Sequence, residues 1–384
     1  MGKQWSAIAL VGGCALVSGT AYGQSSVSLY GLLDTGITYT NRNVDASGQS
    51  VGHRLSVHPG AMQASRLGFR GTEDLGCGLK TLFVIESGIN LDTGTAAQGG
   101  LLFGRRSVVG MQGGSGTVLA GRQPDFLDDM GALSSTLDFG SQVSTIHGLD
   151  RTYTDRTNNS VRYTSPRIAG VMGTAMIGFG ENATVTSGRA LGAGLDYTDD
   201  KLRLAAGYYQ SQLGVAGSAS SFADTGAANI GAQPPAAGVV GVPGDVALRT
   251  FTLGAAYQWG NTRLHGTWSN TVQPLAVASA SRALRGPGSE RVNVLDLGVS
   301  YAVTAALNLN ASVIHDKVKF VAAPSGSLTQ YNLGLDYFLS KRTDLYANAG
   351  YQTASRMLTP GMGEGAPGGS SSQVLTRVGI RHKF

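Results

Sequence analysis

Serine, histidine and cysteine are the side chains through which a chain like this could attack a bond or hold a metal, and none is arranged to do so. Gly48-Gln-Ser-Val-Gly52 has the spacing of a nucleophile elbow. The string lies in a polar stretch, without the strand, turn and helix that such an elbow requires. Of the six histidines, His53, His58, His147, His265, His315 and His382, only His53 and His58 are close enough in sequence to suggest a shared ion. Cys14 sits inside an apolar N-terminal run, so Cys77 has no partner in an exported chain and no disulfide framework is expected. What remains is the chemistry of fixed charge. Lys and Arg number 29 against 24 Asp and Glu, and 22 of the 29 are arginines, which stay ionised at any relevant pH. Asp125, Asp128 and Asp129 cluster at the start of one long connection. Such groups steer ions and dipolar solutes without breaking bonds. No catalytic residue, cofactor, metal or nucleic-acid partner is expected.

The elements that carry these charges read as strands. The last twelve residues, Gln373-Val-Leu-Thr-Arg-Val-Gly-Ile-Arg-His-Lys-Phe384, alternate strictly. Val374, Val378, Ile380 and Phe384 share one face, and Gln373, Arg377, Arg381 and Lys383 the other. At the opposite end, Met1-Gly-Lys3, the apolar run from Ile8 to Val17 and Ala21-Tyr-Gly23 form a secretory signal pattern, so residues 1–23 are set apart from the fold. Beyond them no run reaches the roughly 18 apolar residues of a membrane helix. A hydrophobic content of 42%, a mean hydropathy of 0.00 and 57 glycines suit many short alternating strands.

Sixteen alternating segments follow, the first over 26–41, the second over 56–73, the fourth over 101–113 and the last over 372–384. Their connections sort into two sets. Asp74–Gly78, Gly113–Gly116, Thr198–Lys201, Trp259–Thr262 and Ser340–Thr343 are tight turns. Residues 123–157, 213–247, 274–289 and 357–371 are long and rich in small residues. The fold class is therefore all-β: a 16-stranded antiparallel transmembrane β-barrel with long extracellular loops. In the first segment Val27, Leu29, Leu33, Ile37 and Tyr39 face lipid, while Ser28, Tyr30, Asp34 and Thr38 face inward. Lys201, Arg203 and Tyr209 oppose Leu202, Leu204 and Tyr208, and Arg263 and His265 oppose Leu264 and Trp268. An interior with those charges is wet, because burying each one unpaired costs several kcal/mol.

Several blocks carry a specific resemblance: Ser26-Val-Ser-Leu-Tyr-Gly-Leu-Leu-Asp-Thr-Gly36, Ser65-Arg-Leu-Gly-Phe-Arg-Gly-Thr-Glu-Asp-Leu-Gly76, Glu86-Ser-Gly88, Leu102-Phe-Gly-Arg-Arg106, Gly121-Arg-Gln123, Asn158-Asn-Ser-Val-Arg-Tyr-Thr-Ser-Pro166 and Ser340-Lys-Arg-Thr-Asp-Leu-Tyr346. Spread over residues 24–384, they make the chain resemble general diffusion porins of Gram-negative bacteria, nearest the beta-proteobacterial branch.

The resemblance implies a homotrimer in the cell outer membrane that passes small hydrophilic solutes and ions passively. It also implies a third loop, about 123–157, folded into the barrel as a constriction. Arg66 and Arg105 match the wall positions that face this loop, and Asp125, Asp128 and Asp129 are its carboxylates. Arg105 and Arg106 are adjacent, so a regular strand would turn only one inward, and motif position favours Arg105. Arg70, Arg162, Arg203 and Arg263 are lumen-facing candidates. Weak anion preference is expected from the formal charge of +5. Arg151, Arg156, Arg282 and Arg285 suit extracellular positions or lipopolysaccharide phosphates, and Lys317 and Lys319 suit anionic solutes or headgroups. Further partners are outer-membrane lipids and the barrel-assembly machinery, for which Phe384 would be the C-terminal signal. The alternatives are a substrate-selective porin with a solute-binding site, and an outer-membrane enzyme or adhesin barrel.

Overall fold

The computed structural model describes residues 26–44, 50–140, 156–180, 189–212, 247–272, 289–320, 324–355, 358, 360–362 and 370–384. Its first strands are β1 (Ser26–Val44), β2 in two stretches (Ser50–Pro59 and Arg66–Gly76), β3 (Leu79–Asn90), β4 (Arg106–Gly113) and β5 (Gly116–Pro124). There follow β6 (Arg156–Thr164), β7 (Val171–Gly178), β8 (Ala190–Thr198), β9 (Leu202–Gln212), β10 (Ala247–Trp259) and β11 (Thr262–Val272). The last are β12 (Ser289–Ala302), β13 (Leu307–Phe320), β14 (Gly326–Phe338), β15 (Thr343–Ala354) and β16 (Ser372–Lys383). All pair antiparallel with their chain neighbours, and β1 meets β16 from Leu32↔Lys383 to Thr40↔Leu375. Thr95–Ala96 only brushes the end of β3, so sixteen strands form a closed barrel.

Closure follows from the solvent that the outer face demands. On β1, Val27, Leu29 and Ile37 are 66, 56 and 52% exposed, whereas Asp34 and Thr38 are 0 and 4%. The same inversion recurs on β16, where Val378 and Ile380 are exposed and Gln373, Arg377 and Arg381 are buried. A surface of Leu, Val and Tyr suits hydrocarbon, and in hydrocarbon an unpaired N–H or C=O costs several kcal/mol. Only a sheet without edges satisfies every group. Tyr257, Trp259, Tyr301 and Tyr337 stand exposed at the short-turn end, as an interfacial girdle would.

Two strands differ from the sequence expectation. The second, expected over 56–73, is longer and interrupted. Ser50–Pro59 pairs with the upper half of β1 and Arg66–Gly76 with its lower half, while residues 60–65 leave the ladder. Gly60 makes the departure at φ 64°, with the Ala64 backbone where a Cβ would stand. The fourth strand begins only at Arg106. Cys77 is exposed in the turn after β2, at φ 53°. The expected signal (1–23), the latter part of the long third connection (141–155), and Arg151, Arg282, Arg285 and His147 lie outside the described residues.

The seam is sealed by Gly31 and Phe384, whose N–H and C=O groups exchange bonds of 3.1 Å in both directions. The Phe384 ring and the Arg66 carbonyl occupy the space that a side chain at Gly31 would need. Gly31→Val should therefore lower the thermal unfolding midpoint and the yield of the heat-resistant band in unboiled gels. An unchanged midpoint would show that the ring is free to move aside.

Candidate functional site in the barrel lumen

After β5 the chain turns into the barrel rather than outward. Asp125 starts the turn by accepting the Leu127 N–H at 2.8 Å, capping the single helical turn α1 (Phe126–Asp129). A 3-10 turn, Met130–Leu133, and a second short helix, α2 (Thr136–Phe139), complete the described part of the loop. Its apolar side chains Phe126, Leu127, Met130 and Leu133 pack on Ala190, Ala205, Tyr209 and Ala256 of the inner wall. Phe139 packs on Val292, Val294, Ile314, Val318 and Leu328. The wall is recessed to receive them: the Phe126 ring fills the place of a Cβ at Gly194, and Leu127 and Phe126 fill that of Gly207. Each buried side chain contributes about 1.5–3 kcal/mol, which fixes the loop against β8–β14.

Polar ties set its position. Asp296 on β12, fully buried, accepts the Ser135 N–H at 2.8 Å and also the Ser135 hydroxyl. Asp138 accepts Ser300 Oγ at 2.9 Å and meets His265 Nε2 at 2.9 Å. Arg263 donates to the Ala132 carbonyl, and Arg162 pairs with Asp129 and donates to the Pro124 carbonyl.

The wall of β1–β6 carries a cluster of cations. Glu86 on β3 accepts Tyr30 Oη at 2.9 Å and Arg105 Nε at 2.6 Å. Arg106 pairs directly with Glu86 across the ladder and so shares its inward face. Arg66 pairs with Gly88, two residues further along the same face, within electrostatic reach of Glu86. Arg156 donates from Nε to the Arg105 carbonyl at 3.2 Å. From the loop, Asp128 lies within electrostatic reach of Arg156 and Arg105. Burial raises its pKa above the ordinary carboxylate range; Arg156 and Arg105 pull it down, and Asp129 and Asp125 add to the rise.

A second inward feature adjoins this wall at Arg66, whose Nε donates to the Ala64 carbonyl at 2.9 Å. The strand break at 60–65 is pinned by Asp34, which accepts Met62 N–H at 3.0 Å, Gln63 N–H at 2.7 Å and Tyr346 Oη at 2.7 Å. Arg377 donates to the Ala61 carbonyl at 2.9 Å and to Thr38 Oγ1 at 2.8 Å. A Cβ on Gly140 would strike the Met62 backbone, so the bulge meets the loop there.

The expected site residues thus separate by role. Asp128 lies beside Arg105 and Arg156, Asp129 is paired with Arg162, and Asp125 is a buried cap. Arg263 holds the loop, Arg70 stacks on Tyr30 at 5.4 Å, and Arg203 pairs with Asp196 at 2.7 Å. Arg105, the expected one of the adjacent pair, precedes the ladder and bonds Glu86, while Arg106 stands opposite Glu86 on the ladder and shares its inward face. Arg156, expected at the extracellular surface, is instead buried against Arg105. Asp34 is inward as expected, but neither it nor Glu86 is among the expected site residues; the bulge has only the glycine beside Pro59 as a local signal. His53 stacks on Tyr39 and His58 is buried with Nδ1 at its own Pro59 carbonyl. Among the described residues no cluster of potential metal ligands forms.

The barrel as a whole resembles known proteins. A family profile described as Gram-negative porin matches residues 6–356. The chain is 30% identical to an outer membrane porin protein of Bordetella pertussis, over 100% of both chains. It is 30% identical to outer membrane porin protein 32 of Delftia acidovorans, over 96% of each. Among solved structures, the anion-selective porin from Comamonas acidovorans superposes with a TM-score of 0.74 at 27% identity, covering 94% of this chain and 100% of that one.

Removing the Asp296 carboxylate leaves two Ser135 donors without their acceptor, a loss of about 1–3 kcal/mol. Asp296→Ala should therefore release the loop, seen as larger and noisier single-channel conductance in planar bilayers. Conductance equal to that of the parent would show that apolar packing alone holds it.

Proposed function

The chain belongs to the Gram-negative porin family, and from that premise we propose that its lumen is a weakly anion-selective constriction. It is a passive channel of the outer membrane and not an enzyme. The reading of selectivity rests on one observation: Arg66, Arg105, Arg106 and Arg156 gather on one side of the lumen around Glu86, with Asp128 of the loop opposite. With Asp129 paired to Arg162, the arginines on this wall outnumber the carboxylates around them, and the resulting transverse field favours anions and orients dipolar solutes. The relative from Comamonas acidovorans, named as anion-selective, supports the same sign. The pore boundary is proposed as loop residues 126–140, the 60–65 bulge and this wall.

The proposed assembly is a homotrimer. Of the two small residues expected on the outer face of β1, Gly31 is covered by the Phe384 ring, which leaves Thr35 beside it for close approach by a neighbouring barrel. Lipopolysaccharide and the barrel-assembly machinery, the latter through the strand ending at Phe384, are proposed partners. A mature chain following a signal at 1–23 completes the reading.

Reversal potential under a salt gradient tests the field. The parent should reverse on the anion side, and Arg66→Ala should move the permeability ratio toward cations about twofold, as expected for one charge several ångströms from the ion path in water. A cation-directed parent would overturn the sign.

The selectivity should also depend on pH. Since burial raises the Asp128 carboxyl, acidification neutralises it before ordinary carboxylates, while every arginine stays charged. Anion preference should therefore grow as the pH falls, and Asp128→Asn should show the stronger preference already at neutral pH.

A further inference from the structure

Just below the arginine cluster the inner wall turns apolar. Glu86 and Arg106 stand opposite each other on β3 and β4, and one step toward the short turns the same face carries Val84 opposite Val108. The next step brings Leu82 opposite Gly110, which in turn stands opposite Leu119 of β5. The Leu119 side chain leans over Gly110, into the space that a Cβ there would take. Leu82, Val84, Val108 and Leu119 therefore adjoin one another across three strands.

Apolar side chains that face a water-filled lumen call for a partner. On β8–β14 the loop provides one: Phe126, Leu127, Met130 and Leu133 cover Ala190, Ala205 and Ala256, and Phe139 covers Val292, Val294 and Ile314. Neither of these clusters includes a residue of β3–β5. Val108 is buried, while Leu82, Val84 and Leu119 are only half-buried.

The groups that frame this floor suit a carboxylate. Arg70 of β2 stands opposite Val84, is exposed, and has no carboxylate partner among the described residues. Arg106 stands at the upper edge, one step from Val108 on the same face. Glu86 is engaged by Tyr30 and Arg105, and Arg162, opposite Leu119, is engaged by Asp129. The Tyr30 ring lies across Gly68, its Cζ 2.5 Å from where a Cβ would stand, and Arg70 sits 5.4 Å from the ring centroid. A phenol ring and a guanidinium both favour a planar, π-bearing neighbour. The floor asks for an apolar body, Arg70 for one negative group, and the pair of flat side chains for a ring.

We propose that Leu82, Val84 and Leu119, with Tyr30, Arg70 and Arg106, form a subsite for aryl carboxylates. The ring of the solute lies on the apolar floor beside Tyr30, and its carboxylate takes Arg70, with Arg106 adding to the attraction. The proposal deepens the anion-channel reading and rests on it: among anions of equal charge, those with an aromatic body dwell longer in the lumen.

The test adds benzoate to the refolded mature protein in planar bilayers that carry a chloride current. A solute that dwells at the subsite interrupts this current, so the concentration that halves the conductance reports its affinity. Benzoate should do so at about a tenfold lower concentration than acetate, which has the charge without the ring. Leu82→Thr/Val84→Thr keeps every charge; it should erase the difference between benzoate and acetate while its reversal potential in potassium chloride stays that of the parent. Arg70→Gln should raise the half-blocking concentration of both carboxylates. Equal block of the parent by benzoate and acetate overturns the subsite, as does parent-like benzoate block in the threonine variant. Cyclohexanecarboxylate as effective as benzoate overturns the aryl assignment. The sign of the parent's reversal potential in chloride tests the anion reading separately, since benzoate and acetate carry the same charge.

Discussion

Everything in this molecule depends on the requirement that a sheet immersed in hydrocarbon have no edge. Each lipid-facing strand must find a partner for every N–H and C=O, so β1 has to meet β16, and the two ends of the chain have to lie together at Gly31 and Phe384. Once the sheet is closed, the two-residue period of a strand has only one meaning: alternate side chains face lipid or face the lumen. Asp34, Arg377 and Arg381 are inside because Ile37, Val378 and Ile380 are outside. The charges that give the lumen its character are positioned by this parity and by the ladder register.

The lumen is then narrowed by two insertions of different kinds. The loop after β5 is held as a small core would be, with Phe126, Leu127, Met130 and Leu133 seated over wall glycines, and is oriented by the buried carboxylate of Asp296. The bulge at 60–65 buries only Ala61 and Met62, against Tyr346, and otherwise relies on hydrogen bonds to Asp34 and Arg377. Apolar seating tolerates changes of pH and salt, whereas buried polar ties depend on every partner being present. The loop and the bulge thus differ in what would dislodge them.

Much of this was legible in the sequence because strand parity is a local property. The alternation of Val27 to Tyr39 and of Gln373 to Phe384 predicts the inner and outer faces as found, and the sorting of short and long connections predicts the polarity of the barrel. What was not legible depends on contacts between distant strands. The interruption of β2 leaves no break in the apolar pattern, since its two halves pair with one continuous β1. That Arg105 bonds Glu86 while Arg106 also faces inward depends on where the β4 ladder begins, which Glu86 and β3 determine from the other side. Arg156 looked like a solvated loop cation because its burying partner, the Arg105 carbonyl, is 51 residues away. The carboxylates were found as a group, but their division into a cap, a neighbour of arginines and a paired anchor is a matter of loop geometry.

Asp34 joins three strands that meet only at the seam: it lies on β1, receives the bulge of β2, and takes the hydroxyl of Tyr346 on β15, 312 positions away. Arg377 adds β16 to the same group. The bulge therefore acquires its full set of ties only when the last strands arrive. A barrel without β15 and β16 would lack the Tyr346 and Arg377 ties of its second narrowing. The bore of the channel is set in the same event that seals its wall.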